Sequence, residues 1–177
     1  SGNVGDDESG NGNDFTNIVD EQYEFIQAES YSNCARGEGL AFQDTWEFKS
    51  SKDNKGSGFL HALPEDVSQY KGEIKGSRLD YQLKFTSEDS YYVWINMKGN
   101  SYGNGSIGIS WKLRGQEYLP IEKYDSFGWS SKGQWEWEPE FNREPMIINA
   151  SANGVATLSI WMKEDGVMID EILITTD

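Results

Sequence analysis

LSIWMKEDGVMIDEILIT, residues 158–175, places two β-type segments on either side of Glu164-Asp165-Gly166. Asp-Gly between apolar runs is a strong hairpin signal, because glycine accepts the positive φ that tight turns require. On the first segment Leu158, Ile160 and Met162 share one face, while Ser159, Trp161 and Lys163 share the other. The second segment is largely apolar on both faces, and strict alternation puts Asp170 in one row with Met168, Ile172 and Ile174. A carboxylate in an apolar row needs a hydrogen-bonding, ionic or metal partner, since burying it alone costs several kcal/mol.

The same alternation recurs outward from this stretch. Leu79, Tyr81, Leu83 and Phe85 oppose Arg78, Asp80, Gln82 and Lys84. Tyr91, Val93, Ile95 and Met97 oppose Tyr92, Trp94, Asn96 and Lys98, and Ile107, Ile109, Trp111 and Leu113 oppose Gly108, Ser110, Lys112 and Arg114. Phe25 to Glu29 and Met146 to Ala150 are shorter members of the set, and polar turns such as Thr86-Ser87-Glu88-Asp89 and Lys98-Gly99-Asn100-Ser101 separate the segments. Short strands, regular turns and no sustained helical period predict an all-β antiparallel sandwich. The irregular stretches Gly39–Pro64 and Glu122–Glu140 read as loops, where binding surfaces on a rigid sandwich concentrate.

Charge divides the 177 residues unevenly. Residues 1–35 hold eight acidic residues and no Lys or Arg, more than half of the net −15. Residues 1–21 are rich in Gly, Asn and Asp and bury too little to offset their ordering entropy, so they read as a flexible acidic linker preceding a β-sandwich domain over 22–177. The acidic balance argues against nucleic acid and against an anionic membrane surface, both of which need clustered Lys and Arg. No signal peptide and no apolar run of transmembrane length is present, so no membrane insertion is expected and the chain reads as a mature or trimmed form. Cys34 is alone, which excludes an internal disulfide and suits a small buried hydrophobe.

Two constellations carry chemistry. Gln27 and Glu29, two apart on one strand face, would meet Asp170 if the first and last strands pair. An amide oxygen and two carboxylates form an all-oxygen set of the kind Ca²⁺ prefers; the alternative is that the carboxylates accept backbone N–H bonds or pair with Arg or Lys. Trp129, Trp135 and Trp137 fall within nine residues, in a segment rich in Gly, Ser and Lys. On a strand Trp135 and Trp137 point the same way, and flat aromatic faces suit the apolar C–H faces of pyranose rings; core packing is the alternative for each single Trp. The Lys163-Glu164-Asp165 turn reads as a solvated tip. Evidence for catalysis is thin. His61 is the only histidine and lies between apolar residues, and Glu136, Glu138 and Glu140 would face one way on a strand rather than flank a bond.

Five motifs occur together: Gln27-Ala28-Glu29-Ser30, Ser77-Arg78-Leu79-Asp80-Tyr81, Tyr91-Tyr92-Val93-Trp94, Trp135-Glu136-Trp137, and Trp161 through Asp170. In this order they resemble galactose-binding-like β-sandwich modules related to carbohydrate-binding module families 6 and 35, such as those appended to agarases and alginate lyases. The resemblance implies a jelly roll of about eight to ten strands and a structural calcium held by Gln27, Glu29 and Asp170. It implies sugar stacking on Trp129, Trp135 and Trp137, with hydrogen bonds from Glu164, Asp165, Asn96 and Arg78. The expectation is a non-catalytic module that holds a polysaccharide or oligosaccharide near an enzyme or cell surface, beside a neighbouring catalytic domain. The acidic N-terminal stretch resembles those of lipid-anchored bacterial surface proteins, so a secreted or cell-surface location is expected. Two rivals stand beside it: a small polysaccharide lyase or glycoside hydrolase with facing carboxylates, and an interaction domain that has lost its ligand.

Overall fold

Each long alternating segment is a strand in the computed structural model, which describes residues 16–19, 23–38, 44–50, 58–65, 76–100, 105–115, 125–128, 133–141 and 144–177. The strands in chain order are β1 (Thr16–Val19), β2 (Tyr23–Gln27), β3 (Asn33–Ala35), β4 (Thr45–Ser50), β5 (Gly58–Leu63), β6 (Arg78–Phe85) and β7 (Asp89–Lys98). They continue as β8 (Gly105–Leu113), β9 (Asp125–Gly128), β10 (Glu136–Glu138), β11 (Glu140–Phe141), β12 (Glu144–Ala150), β13 (Val155–Met162) and β14 (Met168–Thr175). Two sheets form the jelly-roll sandwich. The smaller runs β1-β6-β13-β8-β9 with β3 also on β6; the larger runs β11-β12-β7-β14-β5-β4, with β10 also on β7 and β2 also on β14. Among the described pairings only β1 with β6 is parallel. No helix of the described residues is long and apolar enough to cross a membrane.

Residues 158–175 do not form a hairpin. β13 pairs with β6 and β8 in the smaller sheet, whereas β14 pairs with β7, β5 and β2 in the larger one. Both strands are flanked on each side, so neither has an edge left for the other; their apolar faces meet across the sandwich instead. The Asp-Gly signal located the turn correctly, and Gly166 has φ +79°. The turn, however, carries the chain from one sheet to the other. It is also not a solvated tip: Gly166 N–H donates to the Ala62 carbonyl at 2.9 Å, Glu164 N–H to Ser106 at 3.2 Å, and Asn100 Nδ2 to the Asp165 carbonyl at 3.1 Å.

The core lies between the sheets. Leu79, Tyr81, Leu83 and Phe85 of β6, with Ile107 and Ile109 of β8 and Leu158, Ile160 and Met162 of β13, face Tyr91, Val93, Ile95 and Met97 of β7 and the apolar row of β14. Burying each such side chain contributes about 1.5–3 kcal/mol. The β14 row is not the one that simple alternation gives. The register slips between Ile169 and Glu171, so Ile169 opposes core Met97 while Ile172 and Ile174 oppose core Ile95 and Val93. Asp170 is the extra residue of a β-bulge, and Met168 therefore shares the outer face with its neighbours His61 and Lys98. At the other end of the chain, Thr16–Val19 lies ahead of the boundary read from composition: β1 pairs with β6 and Val19 is fully buried, so these four residues belong to the sandwich.

Candidate binding groove and cation site

Side chains on the outer face of the larger sheet line up in cross-strand rows. Phe25, Leu173 and Trp94 share one row; Gln27, Glu171, Asn96 and Trp137 share the next. Phe25, Trp94, Trp137 and Leu173 form the apolar wall of a groove of about 570 Å³, with Glu171, Thr175 and Asp177 as its polar part. That volume lies within the range of small-molecule sites. Phe25 meets Trp137 edge-on at 6.0 Å between ring centroids and Tyr23 at 5.9 Å. These rings are not spent on the core, since Tyr23 is 57 % and Phe25 49 % exposed. A second pair continues the aromatic surface on the same face, with Trp135 against Phe59 at 5.4 Å.

Beside the groove, the end of β2 meets the β14 bulge. Ala28 N–H donates to the Asp170 carbonyl and Ser30 N–H to the Gln27 carbonyl, both at 2.9 Å. Tyr81 crosses the core to donate its hydroxyl to the Ala28 carbonyl at 2.7 Å, and its own pKa is pushed well above the phenol range by burial. The turn thus brings Gln27 and Glu29 to Asp170. Gln27 Oε1 and Asp170 Oδ1 are buried with no hydrogen-bond partner among the described residues. Burial, then the negative charges of Glu171 and Glu29, push the Asp170 carboxyl up to about 6. Among the described residues no set of three or more His, Cys, Asp or Glu side chains gathers at metal-binding spacing. The oxygens here come from two carboxylates and an amide, so the residues fit a hard cation whose shell is completed by carbonyls or water.

The expected sugar contacts are only partly brought together. Trp135, Trp137 and Asn96 share the outer face of the larger sheet, with Asn96 next to Trp137 in register; Trp129 lies outside the described residues. Arg78 is on the opposite face, in the smaller sheet. Its Nε lies 2.9 Å from Asp80 Oδ1 and its Nη2 donates to Oδ2 at 2.9 Å, while its guanidinium covers Trp161 at 5.6 Å. Glu164 is half-buried, and Asp165 is fully buried in the inter-sheet turn, where Asn100 Nδ2 donates to its backbone carbonyl; a carboxylate with no exposed surface is not placed to meet a sugar, which corrects its reading as a sugar contact. His61 neighbours Phe59 and Glu65, and burial lowers its pKa. Sequence alone does not mark Phe25, Trp94, Glu171 and Asp177 as groove residues. A signal did exist for Trp94, since Tyr92 and Trp94 alternate outward from the core row of β7.

No protein-family model matches the sequence, and no curated protein matches it significantly. Solved structures do match. The family 35 carbohydrate-binding module from Clostridium thermocellum aligns at TM-score 0.50 and 14 % identity, over 89 % of this chain and all of that one. The C-terminal CBM6 of a marine laminarinase from Zobellia galactanivorans aligns at 0.50 and 19 % identity, over 86 % of this chain and 98 % of that one. The GH26-CBM35 β-(1,4)-mannanase of Podospora anserina aligns at 0.55 and 14 % identity, over 88 % of this chain but only 28 % of the mannanase. At these identities the likeness is one of fold: the chain has the β-sandwich of these carbohydrate-binding modules.

Proposed function

We propose that the protein is a non-catalytic module that binds a polysaccharide or oligosaccharide along the groove between Phe25, Trp94 and Trp137. The observation that carries this reading is an uncovered aromatic wall beside fixed hydrogen-bonding groups. Phe25 and Trp137 offer ring faces and edges to pyranose C–H groups, while Glu171, Thr175 and Asp177 accept or exchange hydrogen bonds with hydroxyls. The carboxylates favour binding over hydrolysis. Glu171 lies within β14 and Asp177 just past its end, so the two groove carboxylates come from one stretch of chain rather than from facing walls that would flank a glycosidic bond. A calcium ion held by Gln27, Glu29 and Asp170 would neutralise the paired carboxylates and tie the β2 turn to the β14 bulge. Attachment to a larger enzyme draws support from the match to one part of a mannanase, and a secreted or surface location is part of the same proposal.

Affinity electrophoresis through gels containing single polysaccharides, with calcium present, tests the reading. At least one polymer should retard the wild-type protein, and Trp137→Ala should restore free migration. Free migration of the wild type through every polymer would sink it.

A further inference from the structure

Glu171 is a buried carboxylate on the groove wall. It is 9 % exposed and sits between Gln27 and Asn96 in register, with Gln27 Nε2 donating to its Oε1 at 2.7 Å. That hydrogen bond fixes the carboxylate and leaves Oε2 as the acceptor an incoming ligand meets. No described cation lines the groove. On the same face Lys98 stands one strand position past Met97, beyond Asn96, and Lys49 is bound to Glu47 at 2.6 Å. Asp177 adds a second carboxylate at the rim, and the chain as a whole carries −15.

A carboxylate held this way is a strong acceptor for hydroxyl groups, because charge-assisted hydrogen bonds are roughly twice as strong as neutral ones. The same fixed charge repels a carboxylate or sulfate brought into the groove, and poor screening around a buried carboxylate sharpens that repulsion. We propose that the groove selects neutral glycans, with Glu171 as the specificity-determining acceptor that takes sugar hydroxyls and turns away uronate and sulfate groups. This rests on the reading of the groove as the sugar site. The opposite face differs in sign: a smaller polar groove on the smaller sheet is lined by Lys112 and Arg114 beside Gln82 and Thr157. A polyanion that bound this protein would meet that surface instead.

The test compares neutral polymers (laminarin, agarose, glucomannan) with anionic ones (alginate, polygalacturonate, carrageenan) by affinity electrophoresis in calcium, with thermal melts confirming that each variant folds. The wild type should bind its best neutral polymer at least about tenfold more tightly than any anionic one. Glu171→Gln, which keeps the size and the oxygen facing Gln27, should weaken neutral binding by about tenfold and narrow the neutral-to-anionic ratio. An anionic polymer lost from Lys112→Ala/Arg114→Ala but kept by Trp137→Ala would sit on the opposite face and support the groove's selectivity. An anionic polymer that binds as well as the neutral ones and is lost with Trp137→Ala overturns the proposal, as does an unchanged ratio in Glu171→Gln. Free migration of the wild type through both groups overturns this proposal together with the sugar reading; binding without charge preference overturns this proposal alone.

Discussion

The two outer faces of the sandwich use similar residue types to opposite ends. On the smaller sheet, Asp80 takes Arg78 by two contacts, Ser159 Oγ at 2.6 Å and Asn33 Nδ2 at 3.0 Å, while Trp161 is roofed by Arg78 and only 7 % exposed. Charge and aromatic surface there satisfy each other. On the larger sheet, Tyr23, Phe25 and Trp137 touch edge-on and leave surface uncovered, and Glu171 has one hydrogen bond where Asp80 has several. An aromatic beside a charge is therefore no guide to a binding site until the partners of each are counted. A face whose polar groups are already spent on one another stabilises the fold. A face that leaves them over is available to a ligand.

The sharpest way to break this comparison is to strip one face at a time. Phe25→Ala combined with Trp137→Ala should remove about 3 kcal/mol of glycan binding, over a hundredfold, as expected for central aromatic anchors. Arg78→Ala should leave affinity within about twofold, since its side chain faces the other way. Titration calorimetry against the polymer that retards the wild type separates the two. Equal losses from both faces would refute the assignment.

Asp80→Ala should have the complementary effect. It leaves the Arg78 guanidinium, Ser159 and Asn33 without their shared acceptor, which should cost about 3 kcal/mol of stability while glycan affinity holds. Urea unfolding gives the first quantity and calorimetry the second. A stability change below about 0.5 kcal/mol, the size of an ordinary surface substitution, would mean that this face is less tightly satisfied than its hydrogen bonds indicate.

The faces were legible in sequence to different degrees. Period-two alternation marked the core rows of β6, β7, β8 and β13 residue by residue, because the side of each strand that faces the other sheet takes apolar side chains. Pairing was not legible, since Asp-Gly marks a turn with positive φ and does not say which sheet the next strand joins. The bulge at Asp170 was hidden for a related reason: one inserted residue reverses the facing of everything before it, and apolar residues on both sides of it erase the pattern that would reveal the slip. Asp170 stands out in sequence all the same, because a carboxylate in a largely apolar strand is costly wherever it faces. The sequence brings Gln27 and Glu29 to it only on the condition that the first and last strands pair, and the β2–β14 pairing supplies that condition. The separation of Arg78 from Asn96 required knowing which strands cross between sheets.

Gly166→Ala probes the turn that joins the two halves. A Cβ built there would lie 2.6 Å from Asn100 Cβ and 2.7 Å from Glu65 Cγ, on a backbone at φ +79°. Forced left-handed geometry and crowding together should destabilise the fold by about 2 kcal/mol, with both outer faces keeping their own chemistry. Thermal melts should show this drop while any glycan affinity of the folded fraction stays unchanged. If affinity fell with the fold still intact, the turn would have to reach the groove, against its burial under Ala62 and Asn100.

The smallest expected effect belongs to Asp170. Its folded carboxyl titrates near 6 against an ordinary 3.8, so the metal-free native state binds a proton over that interval more readily than the unfolded chain does. Stability from this group therefore rises as pH falls from 7 to 5, by about 1 kcal/mol, and the carboxylate burden returns as pH climbs back through 6. His61 runs the other way: its lowered pKa favours the neutral ring in the fold, so its contribution is full above 6.5 and fades on acidification. The Asp170 part is thus the difference between wild type and Asp170→Asn in matched urea titrations without calcium. Calcium bound at Gln27, Glu29 and Asp170 competes with the proton and should flatten that difference. A pH difference untouched by millimolar calcium would place the strain at Asp170 in the fold alone and remove the cation from the site.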